Sequence, residues 1–317
     1  MTCIRCAHGK ARKHGYFGKT RIQRWRCISC HATFAEPRQK IGTHYLRMEK
    51  AAQVVSMMLE GMSIRAISRL TNVDRNTILS LLETAGEHCC KLWDAKVRNM
   101  RSDFVQADEI WTFVGCHQRR LQPGAPAEWG DAYVWIALDS TTKMVISYYV
   151  GKRDRESAHE FLRDFSQRIE GRFQLTTDGL KWYIPAVEKY LSGQVDFAQL
   201  IKMYSSHDIS GPEWYGTASR VVGTYQSVQD GRPDPRYIST SHIERSNLTL
   251  RMQLRRFTRL TNAHSRKLAN LKHAIALYMA WYCFCRPHQT LRCTPAMESQ
   301  LATHIWTVEE LLSWQQQ

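Results

Sequence analysis

The stretch Phe104-Val-Gln-Ala-Asp-Glu-Ile-Trp-Thr-Phe-Val114 decides the architecture. Its Val, Ile, Trp and Phe content predicts a buried strand, yet two carboxylates, Asp108 and Glu109, stand at its centre. Charge inside such a strand needs a compensating partner. Working outward, residues 133–138 and 143–150 predict two further strands joined by the turn Asp139-Ser140-Thr141-Thr142. Ala158, Phe161, Leu162, Phe165 and Ile169 have helical spacing and predict a helix over 155–169. A fourth strand, residues 173–177, ends at Asp178-Gly179, and another helix runs through Val187 and Leu191. Asp139 is assigned to the hairpin turn, and Asp131, Asp154 and Asp208 to surface or turn positions.

Three strands, a helix, a strand and a helix is the order of a ribonuclease H-like domain, an α/β fold with a mixed sheet in which the first and fourth strands are neighbours. That adjacency brings Asp108 to Asp178. Neighbouring carboxylates repel, and divalent cations relieve the repulsion. Two Mg²⁺ ions about 3.5–4 Å apart can activate an attacking hydroxyl and stabilise a leaving oxygen at phosphorus. Strand alternation sends Glu109 to the opposite face from Asp108, so only one of the two is expected at the metals. A third acid is expected from a helix behind the sheet, and Glu244 in Ser241-His-Ile-Glu-Arg-Ser-Asn247 is the candidate. Ser241-x-x-Glu244 also reads as a capping box, in which Glu only satisfies the helix start. Arg251, seven residues on, shares the face of Glu244 and is placed to hold a phosphate.

Two matched pairs, Cys3/Cys6 and Cys27/Cys30, predict a zinc ribbon over residues 1–40, with Zn²⁺ in place of a core that so short a segment cannot build. Two disulfides or incidental thiols are the alternative, and His8, His14 and His31 are substitute ligands of lower rank. Pro37 and the polar residues 39–43 mark the module's end. Residues 48–60, a second helix capped by Ser63 with Ile64, Ile67 and Leu70 inward, and a third capped by Asp74 with Ile78, Leu81 and Leu82 inward, predict an all-α helix-turn-helix module over 45–92. Asn72 supplies the turn, and Arg75, Asn76 and Thr77 would meet base edges. A plain three-helix linker bundle is the alternative.

The formal charge of +15 is uneven. Residues 1–50 hold twelve Lys/Arg against Glu36 and Glu49, and residues 245–292 hold ten Lys/Arg and no acid, which leaves the remainder net acidic. Both ends suit a polyanion and the middle suits cations. Arg24, Arg26, Arg245, Arg255 and Arg256 are assigned to DNA on this ground. The first ten residues lack the apolar run of a signal peptide, and the apolar residues 274–285 are too few to span a bilayer, so a cytoplasmic, nucleoid-associated protein with free thiols and no membrane partner is expected. Residues 204–239, rich in Gly and Pro with no clear period, predict an insertion loop whose Trp214, Tyr215 and Tyr225 either stack on a base or pack on the domain. Arg286-Pro-His-Gln-Thr290 closes a catalytic domain spanning 100–292, and residues 293–317 form a helical tail.

Asp108-Glu109-x-Trp111, Thr177-Asp178-Gly179 and Ile243-Glu244-Arg245-x-Asn247 together resemble the three catalytic blocks of the DDE transposases, most closely those of the insertion-sequence-1 family, and the resemblance covers nearly the whole chain. It implies a recombinase that recognises terminal inverted repeats, cuts the element's ends and joins the freed 3′-hydroxyls to target DNA. Asp108, Asp178 and Glu244 would hold two Mg²⁺ ions, with Mn²⁺ able to substitute, and Arg251 fits the basic residue seven positions after the Glu. Double-stranded DNA and at least one further copy of the chain are the implied partners. The rival from another class is a DNA-binding repressor that retains the N-terminal modules and does not cut.

Overall fold

The computed structural model describes residues 1–17, 22–35, 46–204, 221–258 and 261–315, in two compact units, Met1–Gln53 and Val54–Gln317. The expected module boundaries at 40 and 45, Pro37, residues 39–43, Asp208, Trp214 and Tyr215 lie outside the described residues.

In the smaller unit, β1 (Ala11–Phe17), β2 (Ile22–Cys27) and β3 (Thr33–Ala35) form an antiparallel sheet in that order. Its core is Cys3, Cys27 and Phe34 with Ala11 and Trp25 against them. So few apolar groups do not offset the entropy of ordering the segment, which is why the four thiols matter.

Next come α1 (Met48–Leu59), α2 (Ile64–Thr71) and α3 (Arg75–Lys96). The local signals act as expected: Ser63 accepts from the Ala66 amide, Asp74 from the Asn76 amide, and Asn72 turns the chain at φ 56°. Leu70 is a correction. It is 64% exposed, because Thr71 takes the inward position and bonds back to the Ile67 carbonyl.

The larger unit is built on β4 (Phe104–Val114), β5 (Gly130–Asp139), β6 (Val145–Gly151), α4 (Arg155–Ser166), β7 (Phe173–Thr177), α5 (Tyr183–Leu191), β8 (Val195–Tyr204) and β9 (Val221–Asp230). The sheet order is β6-β5-β4-β7-β8-β9, antiparallel except for the parallel pairs β4/β7 and β7/β8. First and fourth strands of this unit are therefore neighbours, as expected. The second half of the expected insertion loop is instead strand β9. As an edge strand with mostly exposed side chains it carries no alternation to betray it.

Behind the sheet come α6 (Ser241–Gln253), α7 (Leu268–Phe284) and the short α8 (Pro295–Glu298) and α9 (Val308–Ser313). Every residue of α7 from Ala274 to its end is buried. α3 lies along α7 so closely that a Cβ on Gly86 would stand 2.4 Å from the Cβ of His273. α2 and α3 fall within the larger unit.

Arg168, 5% exposed, fastens α3 from its other end. Its guanidinium bonds Asp164 through Nε (2.7 Å) and Nη2 (2.7 Å), Asp94 through Nη2 (2.6 Å), and the Val97 carbonyl through Nη1 (3.2 Å). A cation on the last carbonyls of α3 also answers the negative end of the helix dipole. Arg168→Ala strands these acids and carbonyls and should destabilise the protein by about 3 kcal/mol. Urea unfolding followed by circular dichroism measures it, and an unchanged midpoint would contradict the clamp.

Candidate active site

Ala107 pairs with Thr177 at the last rung between β4 and β7, so Asp108 and Asp178 follow side by side just past the end of β7. One carboxylate oxygen from each of Asp108, Glu109 and Asp178 lies within 4.8 Å of the other two. Glu109 corrects the alternation argument. Beyond Thr177 the β4 edge has lost its β7 partner, so a longer side chain on the other face can lean round that edge.

Each acid is held. Asp108 accepts from the Glu109 amide (2.8 Å) and from Asn247 Nδ2 (2.9 Å). Asp178 Oδ1 accepts from the Leu180 amide (3.0 Å), and buried Gln199 donates to the Asp178 carbonyl (2.7 Å), fixing the turn. Arg153 donates to Glu109 Oε2 (3.1 Å) through Nε and to Asp178 Oδ2 (3.2 Å) through Nη2. α6 is docked by buried Gln106, whose Oε1 accepts from the amides of His242 (2.9 Å) and Ile243 (3.0 Å). Gln106 and Asp108 share one face of β4, so the same strand face that carries the acid also orients the helix carrying Glu244.

Glu244 is outside the close trio. It pairs with Lys202 of β8 and accepts from the Thr240 hydroxyl. Thr240, not Ser241, is the residue before the helix, and its side chain makes no capping bond to the helix amides, so the capping-box reading is not realised. Glu244 is nonetheless close enough to raise the Asp108 pKa. Arg251 is half-buried on the last turn of α6.

Burial, then Asp178 and Glu244, push Asp108 up to about 6 against the opposing Glu109 amide and Asn247. Burial and Asp178 push Glu109 up to about 8; Tyr183 and Arg153 work against this, the Tyr183 hydroxyl without completing a hydrogen bond of good geometry. Glu109 Oε1 is buried without a hydrogen-bond partner. Three clustered carboxylates and an unmatched buried oxygen are the hard donor set that Mg²⁺ or Mn²⁺ takes, so these residues fit a divalent cation.

The four cysteines form a second candidate metal centre. Cys3–Cys30 and Cys6–Cys27 Sγ separations are 3.6 Å, and all four sulfurs lie within 4.8 Å. That is far from the 2.05 Å or so of a disulfide and near the roughly 3.8 Å edge of a tetrahedron with Zn–S of about 2.3 Å. The amides of Ser29 (3.3 Å) and Arg5 (3.4 Å) point at Cys27 and Cys3 sulfur. Despite opposing burial, backbone contacts from Cys6 and Arg5 bring Cys3 down to about 6.

Of the residues assigned to DNA, Arg75 and Asn76 are exposed at the start of α3 and Thr77 is half-buried. Arg24 and Arg26 share a face of β2, with Arg24 on the Thr33 hydroxyl (2.7 Å). Arg245 and Arg255 are exposed. Arg256 is a correction: its guanidinium turns inward to Ser265 Oγ (2.6 Å) and the Asn270 carbonyl (3.4 Å), and burial lowers its pKa. Glu109, expected on the opposite face, joins the acids; Asn247, which stands in the third motif block, bonds Asp108; Gln106 and Arg153 carry no signal in the sequence.

Residues 128–206 match a family model described as a DDE domain, that of insertion-sequence-240 transposases. The matched segment contains Asp178 but neither Asp108 nor Glu244. The match supports a DDE transposase and, with it, an enzyme. No curated protein matches the sequence. A piggyBac transposase synaptic complex with hairpin DNA is similar at TM-score 0.42 and 11% identity, over 87% of this chain and 72% of that one. The Mos1 strand transfer complex gives TM-score 0.21 and 14% identity, over 51% of this chain and 59% of that one, and a Mos1 paired-end complex 0.20 and 14%, over 51% and 60%. The chain thus spans about three-fifths of the Mos1 chains. Among the described residues no helix is long and apolar enough to cross a membrane.

Asp108 and Glu109 have folded pKa values raised above their ordinary 3.8 and 4.5. The stability they hold is therefore present below about pH 4 and lost as pH rises through about 6 and then about 8. In EDTA, the melting temperature of the wild type should fall relative to a D108N/E109Q variant across this window, and Mg²⁺ should restore more of it at pH 8 than at pH 6. A pH-independent difference between the two proteins contradicts the site's electrostatics.

Proposed function

We propose that the chain is a DNA transposase that binds the terminal inverted repeats of an insertion sequence, cleaves its ends and joins the 3′-hydroxyls to target DNA. The observation that carries this reading is the convergence of Asp108 and Asp178, 70 positions apart in sequence, at one strand end inside a segment flanked by strongly basic ones. The strand order β6-β5-β4-β7-β8 supports a ribonuclease H-like catalytic domain. Asp108, Asp178 and Glu244 would hold two Mg²⁺ ions, which when bound supply activation of the attacking hydroxyl and stabilisation of the leaving oxygen. The protein's own part is placement. Asn247 and the Glu109 amide orient Asp108, Gln199 and the Leu180 amide fix Asp178, and Lys202 pairs with Glu244. Arg251 would hold the phosphate under attack.

The four-cysteine centre is proposed as a structural Zn²⁺ ribbon and α2–α3 as a helix-turn-helix with Arg75, Asn76 and Thr77 at the bases. Arg24, Arg26, Arg245 and Arg255 would contact DNA backbone, giving strongly salt-dependent affinity. Bringing two ends together needs at least a dimer, and the work is done at the nucleoid. The finer assignment to the insertion-sequence-1 family rests on the three motif blocks and the order of modules; the insertion-sequence-240 domain match spans only the second block.

Supercoiled plasmid carrying the element's ends, incubated with Mg²⁺ and the intact chain, should be nicked and then joined to target. Asp108→Ala and Glu244→Ala should each lower this by a factor on the order of 100 or more. Equal residual cutting by all three proteins would defeat the enzyme reading.

A further inference from the structure

We propose that Glu109 is a working member of the carboxylate site and that Arg153 is its displaceable counter-ion, holding Glu109 and Asp178 until a divalent cation takes over their charge. The inference rests on the metal reading above and adds to it one acid and one cation.

The case begins with burial. The Glu109 side chain is 1% exposed, whereas Arg153 is 42% and Asp178 33% exposed. A buried carboxylate must be neutralised, and Arg153 meets it at 3.1 Å while its other arm meets Asp178 at 3.2 Å. One guanidinium thus bridges acids from two different elements, Glu109 on β4 and Asp178 after β7. It does so incompletely. Glu109 Oε1 completes no hydrogen bond of good geometry, with only the buried Tyr183 hydroxyl against the carboxyl, and one oxygen from each of the three acids lies within 4.8 Å of the others. Three carboxylates against one guanidinium also leave the cluster net negative.

The second argument is mechanical. The backbone around Arg153 is pinned: the Lys152 amide donates to Ser157 Oγ (3.0 Å), Lys152 Nζ bonds the Asp131 carbonyl (2.7 Å), and Asp154 caps α4 through the Ser157 amide (2.9 Å). Only the half-exposed side chain is free to swing. Tyr133, whose ring centroid is 6.0 Å from Arg153 Cζ, offers a face on which a released guanidinium can rest. A divalent cation among these acids repels the guanidinium at short range and neutralises the acids more fully, so the two cations exchange places instead of sharing the site.

Mn²⁺ binding to the full-length protein without DNA, read from the electron paramagnetic resonance of free Mn²⁺, tests this independently of catalysis. Arg153→Gln should bind Mn²⁺ about fivefold more tightly than wild type, because the competing cation is gone. It should also melt at lower temperature in EDTA. Arg153→Lys, which keeps the charge but not the fork, should lie between the two. Glu109→Gln should bind about tenfold more weakly or worse. Unchanged or weaker binding by Arg153→Gln, or unchanged or tighter binding by Glu109→Gln, overturns the inference while leaving the transposase reading intact. Failure of the wild type to bind millimolar Mn²⁺ overturns both.

Discussion

Three carboxylates sharing a poorly solvated strand end is a costly arrangement, and much of the larger unit serves to hold it. Burial, and then the neighbouring carboxylates, raise the pKa of Asp108 and Glu109. A fold tolerates this only where neighbouring groups fix the acids and a cation is at hand. β4 provides the fixed frame: it pairs with β5 from Val105 to Val114 and with β7 only as far as Ala107. The early stop of β7 frees the β4 edge at the acids, and the chain leaving β7 delivers Asp178 to that gap.

The same strand face organises the helix behind it. Gln106 caps the start of α6 and Asp108 receives Asn247 from its next turn, so two side chains two residues apart set both the position and the rotation of that helix. Glu244 lies between these contacts. Its charge is met by Lys202 and its Oε1 by the Thr240 hydroxyl, so it adds no uncompensated charge to the trio. Further out, α7 fills the core, and Arg168 with the Gly86–His273 contact fastens α3 to the body that carries the acids.

The sequence spoke most clearly where a local rule and the fold agree. Phe104–Val114 and Phe173–Thr177 are strands at the predicted residues because their apolar content is continuous and Asp178-Gly179 punctuates the second. Ser63, Asn72 and Asp74 act as cap, turn and cap because those roles depend on a few neighbouring backbone groups. What stayed hidden depends on partners remote in sequence. Glu109 departs from alternation because β7 ends early, which no residue near 109 announces. β9 is an exposed edge strand next to Gly231, Pro233 and Pro235, so turn chemistry masks it. Arg256 counts toward a basic surface until Ser265 and the Asn270 carbonyl are seen to receive it, and Leu70 fits a helical repeat that Thr71 overrides. Arg153 had no motif to single it out; only the sheet brings it to Glu109 and Asp178.

The account turns on one spatial claim, that Asp108 and Asp178 bind a common divalent cation. Anomalous scattering from crystals grown with Mn²⁺ measures it directly. The predicted result is Mn²⁺ density at about 2.2 Å from oxygens of both residues. Density confined to other surface sites, or none near β4 at millimolar Mn²⁺, would contradict it.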